Sequence, residues 1–191
     1  MNLPNKLTVL RCVITFVFLA ALLVEFPYHY TVALVLFIAA SLTDYFDGKI
    51  ARRDGLITNL GKFLDPLADK MLTTAAFLGI LCQLDGSQSL CWAVMLILAR
   101  EFMVTSVRLL AAKDGVVVAA SFAGKLKTVL QMVSIIYMLA AFQVCEWLSG
   151  NWVAGVVLIS IGIVLIWVSV VATVVSGVQY VWQLRRYFKE N

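Results

Sequence analysis

Four aspartates carry the strongest chemical signal in this sequence. They occur in Asp44-Tyr45-Phe46-Asp47-Gly48-Lys49-Ile50-Ala51-Arg52 and in Gly61-Lys62-Phe63-Leu64-Asp65-Pro66-Leu67-Ala68-Asp69. Asp44 and Asp47 stand at i,i+3, and Asp65 and Asp69 at i,i+4, so on helices each pair shares a face. A short charged connection makes the two segments antiparallel neighbours, and the four carboxylates can converge on one groove. Like charges in such a groove repel strongly unless cations neutralise them. Hard divalent ions take oxygen ligands, and two of them about 3.5–4 Å apart suit phosphoryl chemistry. Gly48 and Gly61 allow close approach of a ligand or helix. Pro66 is expected to kink its helix beside the metals. Two other readings stay open on these residues alone. An intramembrane Asp pair can serve a proton or sodium transporter, and a Gly in a membrane helix often serves packing.

The elements that must position these groups are membrane helices. Of 191 residues, 62% are hydrophobic and 14% charged, and the mean hydropathy is +0.95. A soluble domain is about 45–50% apolar and about 25% charged. A water-soluble globule, a disordered chain and a disulfide scaffold are therefore excluded. Breaks at Glu25–Tyr30, Lys49–Lys62, Gln83–Ser87, Lys113–Gly115 and Ser149–Asn151 divide the chain into six helices. Their expected bounds are about 5–25, 31–53, 59–84, 88–113, 121–147 and 152–184. The reading is one all-α, polytopic membrane domain over residues 1–191 with six spans. A seventh span between Trp147 and Leu184 would put Arg185, Arg186 and Lys189 on the wrong side.

With six spans all 15 Lys and Arg lie on one side, and Glu25, Asp85 and Glu146 on the other. This positive-inside pattern predicts cytoplasmic termini and site in the cell membrane. The start Met1–Lys6 has no cleavable-signal pattern. The one histidine, His29, falls in an outer turn, so a Ser-His-Asp mechanism has little to work with. The four cysteines are expected to be buried small hydrophobes rather than a Cys82–Cys91 disulfide. Trp92, Trp147, Trp152 and Trp182 stand near span ends, as interfacial belts do. No phosphate-binding glycine loop, dinucleotide fingerprint or internal repeat is visible, and no nucleic-acid partner is expected.

The uncharged runs Cys12–Val24, Thr31–Thr43, Met71–Leu84 and Gly86–Ala99 each cover only roughly 20 Å at 1.5 Å per residue, against a hydrocarbon thickness of about 30 Å. They end at Arg11, Asp44, Asp69/Lys70 and Arg100/Glu101. Ionisable groups thus reach one depth, at or just inside the cytoplasmic boundary. Snorkelling accounts for Lys and Arg there, but a short Asp stem cannot reach far towards water.

The acidic run reads Asp-x2-Asp-Gly-x2-Ala-Arg-x8-Gly-x3-Asp-x3-Asp without departure. It resembles the signature of the CDP-alcohol phosphotransferases, integral membrane enzymes with six helices. The resemblance implies that Asp44, Asp47, Asp65 and Asp69 hold two divalent ions, Mg2+ or Mn2+, and that Asp69 is also the general base. It implies that Gly48, Ala51, Arg52 and Gly61 line the cytidine-diphosphate site, with Arg52 facing the phosphates. It further implies a homodimer.

Other segments resemble the bacterial phosphatidylglycerophosphate synthase subfamily. These are Asn5–Arg11, Gly61–Lys70, Arg100–Phe102 with Thr105–Arg108, and Gly124–Thr128 with Gln131–Met132. The implied donor is CDP-diacylglycerol and the implied acceptor glycerol 3-phosphate. A phosphorylated acceptor needs a cationic pocket beside the metals. Arg108, Lys125 and Lys127 are the candidates, with Arg11 and Arg100 behind them. Arg100 has an alternative structural role, pairing with Glu101 or a neighbouring helix. Lys125 and Lys127 diverge at i,i+2 on a regular helix, so one is free for membrane phospholipid headgroups. Asn5 and Thr8 either bond the nucleotide or cap the first helix; local physics favours capping. The last helix reads as generic apolar sequence. Sister enzymes with another acceptor (phosphatidylglycerol, inositol phosphate or serine) and a cation transporter are the competing functions.

Overall fold

The structure, a computed structural model, describes the backbone of residues 3–54, 59–85, 87–113, 122–148 and 151–187, and the side chains of 8–43, 67–68, 70–85, 87–108, 122–148 and 151–182. It contains α1 (Leu3–Leu23), α2 (His29–Asp54), α3 (Asn59–Gln83), α4 (Gln88–Lys113), α5 (Phe122–Trp147) and α6 (Trp152–Tyr187). Every element follows the expected order and lies within a few residues of its expected bounds. There is no strand among the described residues. The long apolar run after Trp147 forms one helix of 36 residues, not two spans.

Local chemistry sets the boundaries. Pro4 enters α1 in its first turn, where a missing N–H costs nothing. Tyr28 at φ 63° and Asp85 at φ 50° turn the chain after α1 and α3. Asn151 accepts the Ala154 N–H at 3.2 Å through its side chain and caps α6. α1 begins at Leu3, so Asn5 and Thr8 lie inside the helix rather than at its cap. The capping reading is therefore corrected for both. α3 remains helical through Pro66.

α4, α5 and α6 are each long and apolar enough to cross a membrane. α1, α2 and α3 hold shorter apolar segments, Thr8–Leu23, His29–Thr43 and Lys70–Gln83. The helices themselves are 21, 26 and 25 residues long, which at 1.5 Å per residue gives roughly 30–40 Å. Their polar ends are therefore continuous with spans rather than separate from them.

The core joins Phe18 and Leu22 of α1 to Phe37 of α2, Phe77 and Ile80 of α3, and Met138 and Leu139 of α5, all 1% exposed or less. Phe18 and Phe37 meet with ring centroids 5.7 Å apart. Buried alanines at 21, 33, 40, 75, 76 and 93 let the helix backbones approach, the membrane route to tight packing where lipid removes the hydrophobic drive between helices. At the end carrying Glu25 and Glu146, polar side chains clasp four helices. Tyr30 donates to Gln83 at 3.0 Å, and Gln83 to the Leu22 carbonyl at 2.7 Å. Gln143 accepts from the N–H and hydroxyl of Thr31 at 2.9 and 2.7 Å, and donates to Glu146 at 2.7 Å. His29 is the first residue of α2 and is buried.

Of two expectations about single residue types, the one for cysteine needs adjustment and the one for tryptophan holds. No disulfide joins Cys82 to Cys91, but both are exposed rather than buried, because they sit on outward faces of α3 and α4. The four end-of-span tryptophans are all exposed, as an interfacial belt requires.

α4 packs against α3 and α6, and α5 against α2, α3 and α6. Among the described residues α4 and α5 have no backbone contact with each other, although they are consecutive in the chain. A gap between them, flanked by α3 and α6, is the architectural feature that matters for function.

Candidate active site

The gap between α4 and α5 is a cavity of about 700 Å³, within the usual range for small-ligand sites. Its wall holds Lys70 of α3, Arg100, Glu101, Thr105 and Arg108 of α4, and Lys125 and Lys127 of α5. Among the described residues, five cationic side chains and one carboxylate line it. Arg100, Arg108, Lys125 and Lys127 were each expected at an acceptor-phosphate pocket, and the fold brings all four to one cavity.

Each cation is held differently. Glu101 receives Lys70 at 2.7 Å and Arg100 at 3.3 Å, and it also pairs with Lys127. Arg100 donates to the Ser176 hydroxyl of α6 at 2.7 Å, and its guanidinium lies 5.6 Å from the Tyr180 ring centre. The structural role weighed for Arg100 is therefore real, and it coexists with a place in the cavity wall. Arg108 bonds the Tyr180 hydroxyl and lies 5.0 Å from that ring centre, a cation–π geometry. Its Nε is buried with no hydrogen-bond partner. Lys125 is exposed and makes no ion pair with a described residue. Lys127 is the inward member of the i,i+2 pair, 6% exposed. The expected divergence holds: one lysine is buried against Glu101 and the other lies exposed at the cavity's edge.

Arg11 is placed elsewhere. It is buried on α1, which packs on α2 and α3 and not on α4 or α5, and it does not line this cavity. Thr8 is buried one turn earlier on the same helix. The side chains of Asn5, Asp44, Asp47, Gly48, Ala51, Arg52, Gly61, Asp65 and Asp69 lie outside the described residues. Their backbone is helical: α2 runs unbroken through Asp44–Arg52 and α3 through Gly61–Asp69. The i,i+3 and i,i+4 registers of the aspartate pairs are therefore kept, and α2 packs against α3. Lys70, which lines the cavity, directly follows Asp69, so the two Cα atoms are about 3.8 Å apart. Lys70 is thus the described residue of α3 that links the cavity wall to the helix carrying Asp65 and Asp69.

Residues 1–175 match the family described as CDP-alcohol phosphatidyltransferase. The chain belongs to the CDP-alcohol phosphatidyltransferase family. With six helices, three of them long and apolar enough to cross a bilayer, it is a multi-pass membrane protein. Among curated relatives, a Bacillus subtilis protein named CDP-diacylglycerol–glycerol-3-phosphate 3-phosphatidyltransferase is 39% identical, with 94% of this chain and 93% of that protein covered. A Rickettsia bellii protein of the same name is 34% identical, over 98% of this chain and 97% of that protein. A Mycobacterium tuberculosis protein named probable phosphatidylglycerophosphate synthase is 41% identical, over 94% of this chain and 80% of that protein.

For this member of the CDP-alcohol phosphatidyltransferase family, α6 is not inert sequence. Ser169, Thr173, Ser176 and Tyr180 are each 2% exposed or less, and their spacing puts them on one helical stripe. That stripe holds Arg100 and Arg108, and Thr173 accepts from Gln131 of α5 at 3.2 Å. The signal was present as polar residues at i, i+4, i+7 and i+11 in an apolar helix. Lys70 and Glu101 were read as markers of depth, and Glu101 as a pairing partner of Arg100, but not as parts of the acceptor pocket; that required the neighbours that α4 and α5 supply.

Proposed function

We propose that this protein transfers the phosphatidyl group of CDP-diacylglycerol to glycerol 3-phosphate, yielding phosphatidylglycerophosphate and CMP. The observation that carries this reading is the basic cavity between α4 and α5, whose wall includes Lys70, the residue that follows Asp69. A phosphorylated acceptor is a dianion and needs several donors away from bulk water. Arg108 offers a planar fork with one donor already anchored on Tyr180, and Lys125 offers an exposed ammonium that pairs with no carboxylate among the described residues. Lys127 stands behind them on Glu101. A cation transporter has no use for such a cavity.

The family is generally divalent-cation dependent. Four carboxylates in helical registers that bring each pair to one face fit hard ions with oxygen ligands, so Asp44, Asp47, Asp65 and Asp69 are the residues that would hold them. When bound there, such ions neutralise the pyrophosphate and stabilise CMP as it leaves. Among the described residues no group of three or more His, Cys, Asp or Glu is arranged for a metal.

The protein's own residues then do the following. Arg52 faces the diphosphate, and Gly48, Ala51 and Gly61 leave room for the nucleotide. Arg108, Lys125 and Lys127 fix the acceptor phosphate so that a hydroxyl oxygen of glycerol 3-phosphate lies in line with the β-phosphorus. That oxygen forms the new P–O bond, the bond to CMP breaks, and Asp69 takes the hydroxyl proton. No covalent enzyme intermediate is needed. The acyl chains stay in the bilayer, and the distribution of Lys and Arg supports a cytoplasmic cavity and cytoplasmic termini. The protein works as a homodimer in membrane phospholipid, as one catalytic domain over residues 1–191.

The test is CMP release by the purified protein from CDP-diacylglycerol with radiolabelled glycerol 3-phosphate. Label is expected in a lipid product. Release with inositol phosphate, serine or phosphatidylglycerol, and none with glycerol 3-phosphate, would retire this acceptor.

A further inference from the structure

Among the described residues, Glu101 is the only carboxylate in the wall of the cavity between α4 and α5. Its two oxygens serve three helices. One takes Lys70 of α3 at 2.7 Å, and the other takes Lys127 of α5 and Arg100 of α4, the latter at 3.3 Å. The side chain is 13% exposed, and those of Lys70, Arg100 and Lys127 are 18%, 8% and 7% exposed. α4 and α5 have no backbone contact among the described residues, so the Glu101–Lys127 pair spans the gap that the helices leave open.

We propose that Glu101 is a positioning residue that presents Lys127 to the acceptor phosphate. This inference rests on the cavity being the acceptor site. The physical case has three parts. First, Glu101 sets a negative charge between the ammonium groups of Lys70 and Lys127 and so offsets their mutual repulsion, an effect that low-dielectric surroundings sharpen. Second, a lysine has four rotatable bonds, and Glu101 fixes Lys127 before substrate arrives, so less conformational entropy is lost on binding. Third, Glu101 leaves the balance of the wall strongly cationic, so an incoming dianion is still attracted. Glu101 does not touch substrate in this scheme. It acts through Lys127, and through Lys70 it ties the acceptor side to the turn carrying Asp65 and Asp69.

The test is steady-state kinetics of Glu101→Gln and Glu101→Asp in mixed micelles, with glycerol 3-phosphate and CDP-diacylglycerol varied separately. Glu101→Gln should raise KM for glycerol 3-phosphate about tenfold and leave KM for CDP-diacylglycerol within about twofold. Glu101→Asp keeps the charge but shortens the stem, and should fall between wild type and Glu101→Gln. Adding Glu101→Gln to Lys127→Gln should worsen KM for glycerol 3-phosphate by less than about twofold over Lys127→Gln alone, because both changes remove one function. Equal rises for both substrates, a fall in kcat with both KM values unchanged, or full additivity with Lys127→Gln would each overturn the proposal. If Glu101→Gln does not accumulate folded, Glu101→Asp decides alone, and an unchanged ratio of the two KM values sinks the idea. Wild-type protein that releases no CMP with glycerol 3-phosphate defeats the acceptor assignment and this inference together. Active wild type with no split between substrates defeats the role of Glu101 only.

Discussion

Arg108 of α4 donates a hydrogen bond to the Tyr180 hydroxyl of α6, and its guanidinium lies 5.0 Å from the centre of the same ring. Tyr180 is 2% exposed, so the bond is made in a dry setting where geometry is well defined. A residue of the polar stripe on α6 thereby fixes the direction of a cation in the cavity. Tyr180→Phe keeps the ring and removes the anchor. A hydrogen bond to a charged group is worth about 1.5–3 kcal/mol, and only part of that reaches the substrate. KM for glycerol 3-phosphate should rise about fivefold, with KM for CDP-diacylglycerol unchanged, as read by initial-rate assays.

Arg108→Ala should act on the acceptor more strongly than on the lipid. Loss of one guanidinium contact to a phosphate costs about 1.5–3 kcal/mol, or a rise of roughly ten- to a hundredfold in KM for glycerol 3-phosphate. Arg108→Lys should recover little, since an ammonium cannot keep both the Tyr180 bond and a forked contact. Equal losses for both substrates would argue against the assigned role.

Asp65→Asn and Asp69→Asn should each abolish turnover while the protein still inserts and folds. Chelation of divalent ions should do the same to wild type, and added Mg2+ or Mn2+ should restore it. Radiolabel incorporation into lipid measures activity, and gel filtration in detergent measures the fold. Full activity of either variant would remove the aspartates from the chemistry.

Gln143→Leu tests the polar clasp at the other end of the bundle. The change removes two bonds from Thr31 and one to Glu146, which should cost about 1–3 kcal/mol of stability. For a chain of this size that is a fall in Tm of roughly 2–10 °C. Both KM values should stay within about twofold of wild type. A change in acceptor KM without a change in Tm would mean that the two ends are coupled.

Much of this molecule was legible before folding. Apolar runs broken by charge and turn residues specified α1 to α6, the first three extended by polar turns at one end, because in a bilayer every backbone group must be bonded within a helix. The aspartate registers followed from helical spacing alone. Arg100 was also visible as a charge at unusual depth, while Arg108, Lys125 and Lys127 were named from the subfamily resemblance and the need of a phosphorylated acceptor for cations. Arg11 carried the same signal, yet it sits on α1, which packs away from the cavity. Charge at a given depth does not say which neighbour it faces.

What the amino-acid order determined by itself is local: which stretches are helices, where they stop, and which residues share a face at i,i+3 or i,i+4. What only the tertiary structure decided is which faces meet. That α4 and α5 stand apart and leave a cavity, that Lys127 rather than Lys125 turns inward to Glu101, and that Tyr180 reaches Arg108 across 72 residues of sequence all depend on packing between helices distant in the chain. In lipid no strong hydrophobic pattern marks those interfaces, since the solvent is as apolar as the core, and small and polar residues on facing helices make the choice.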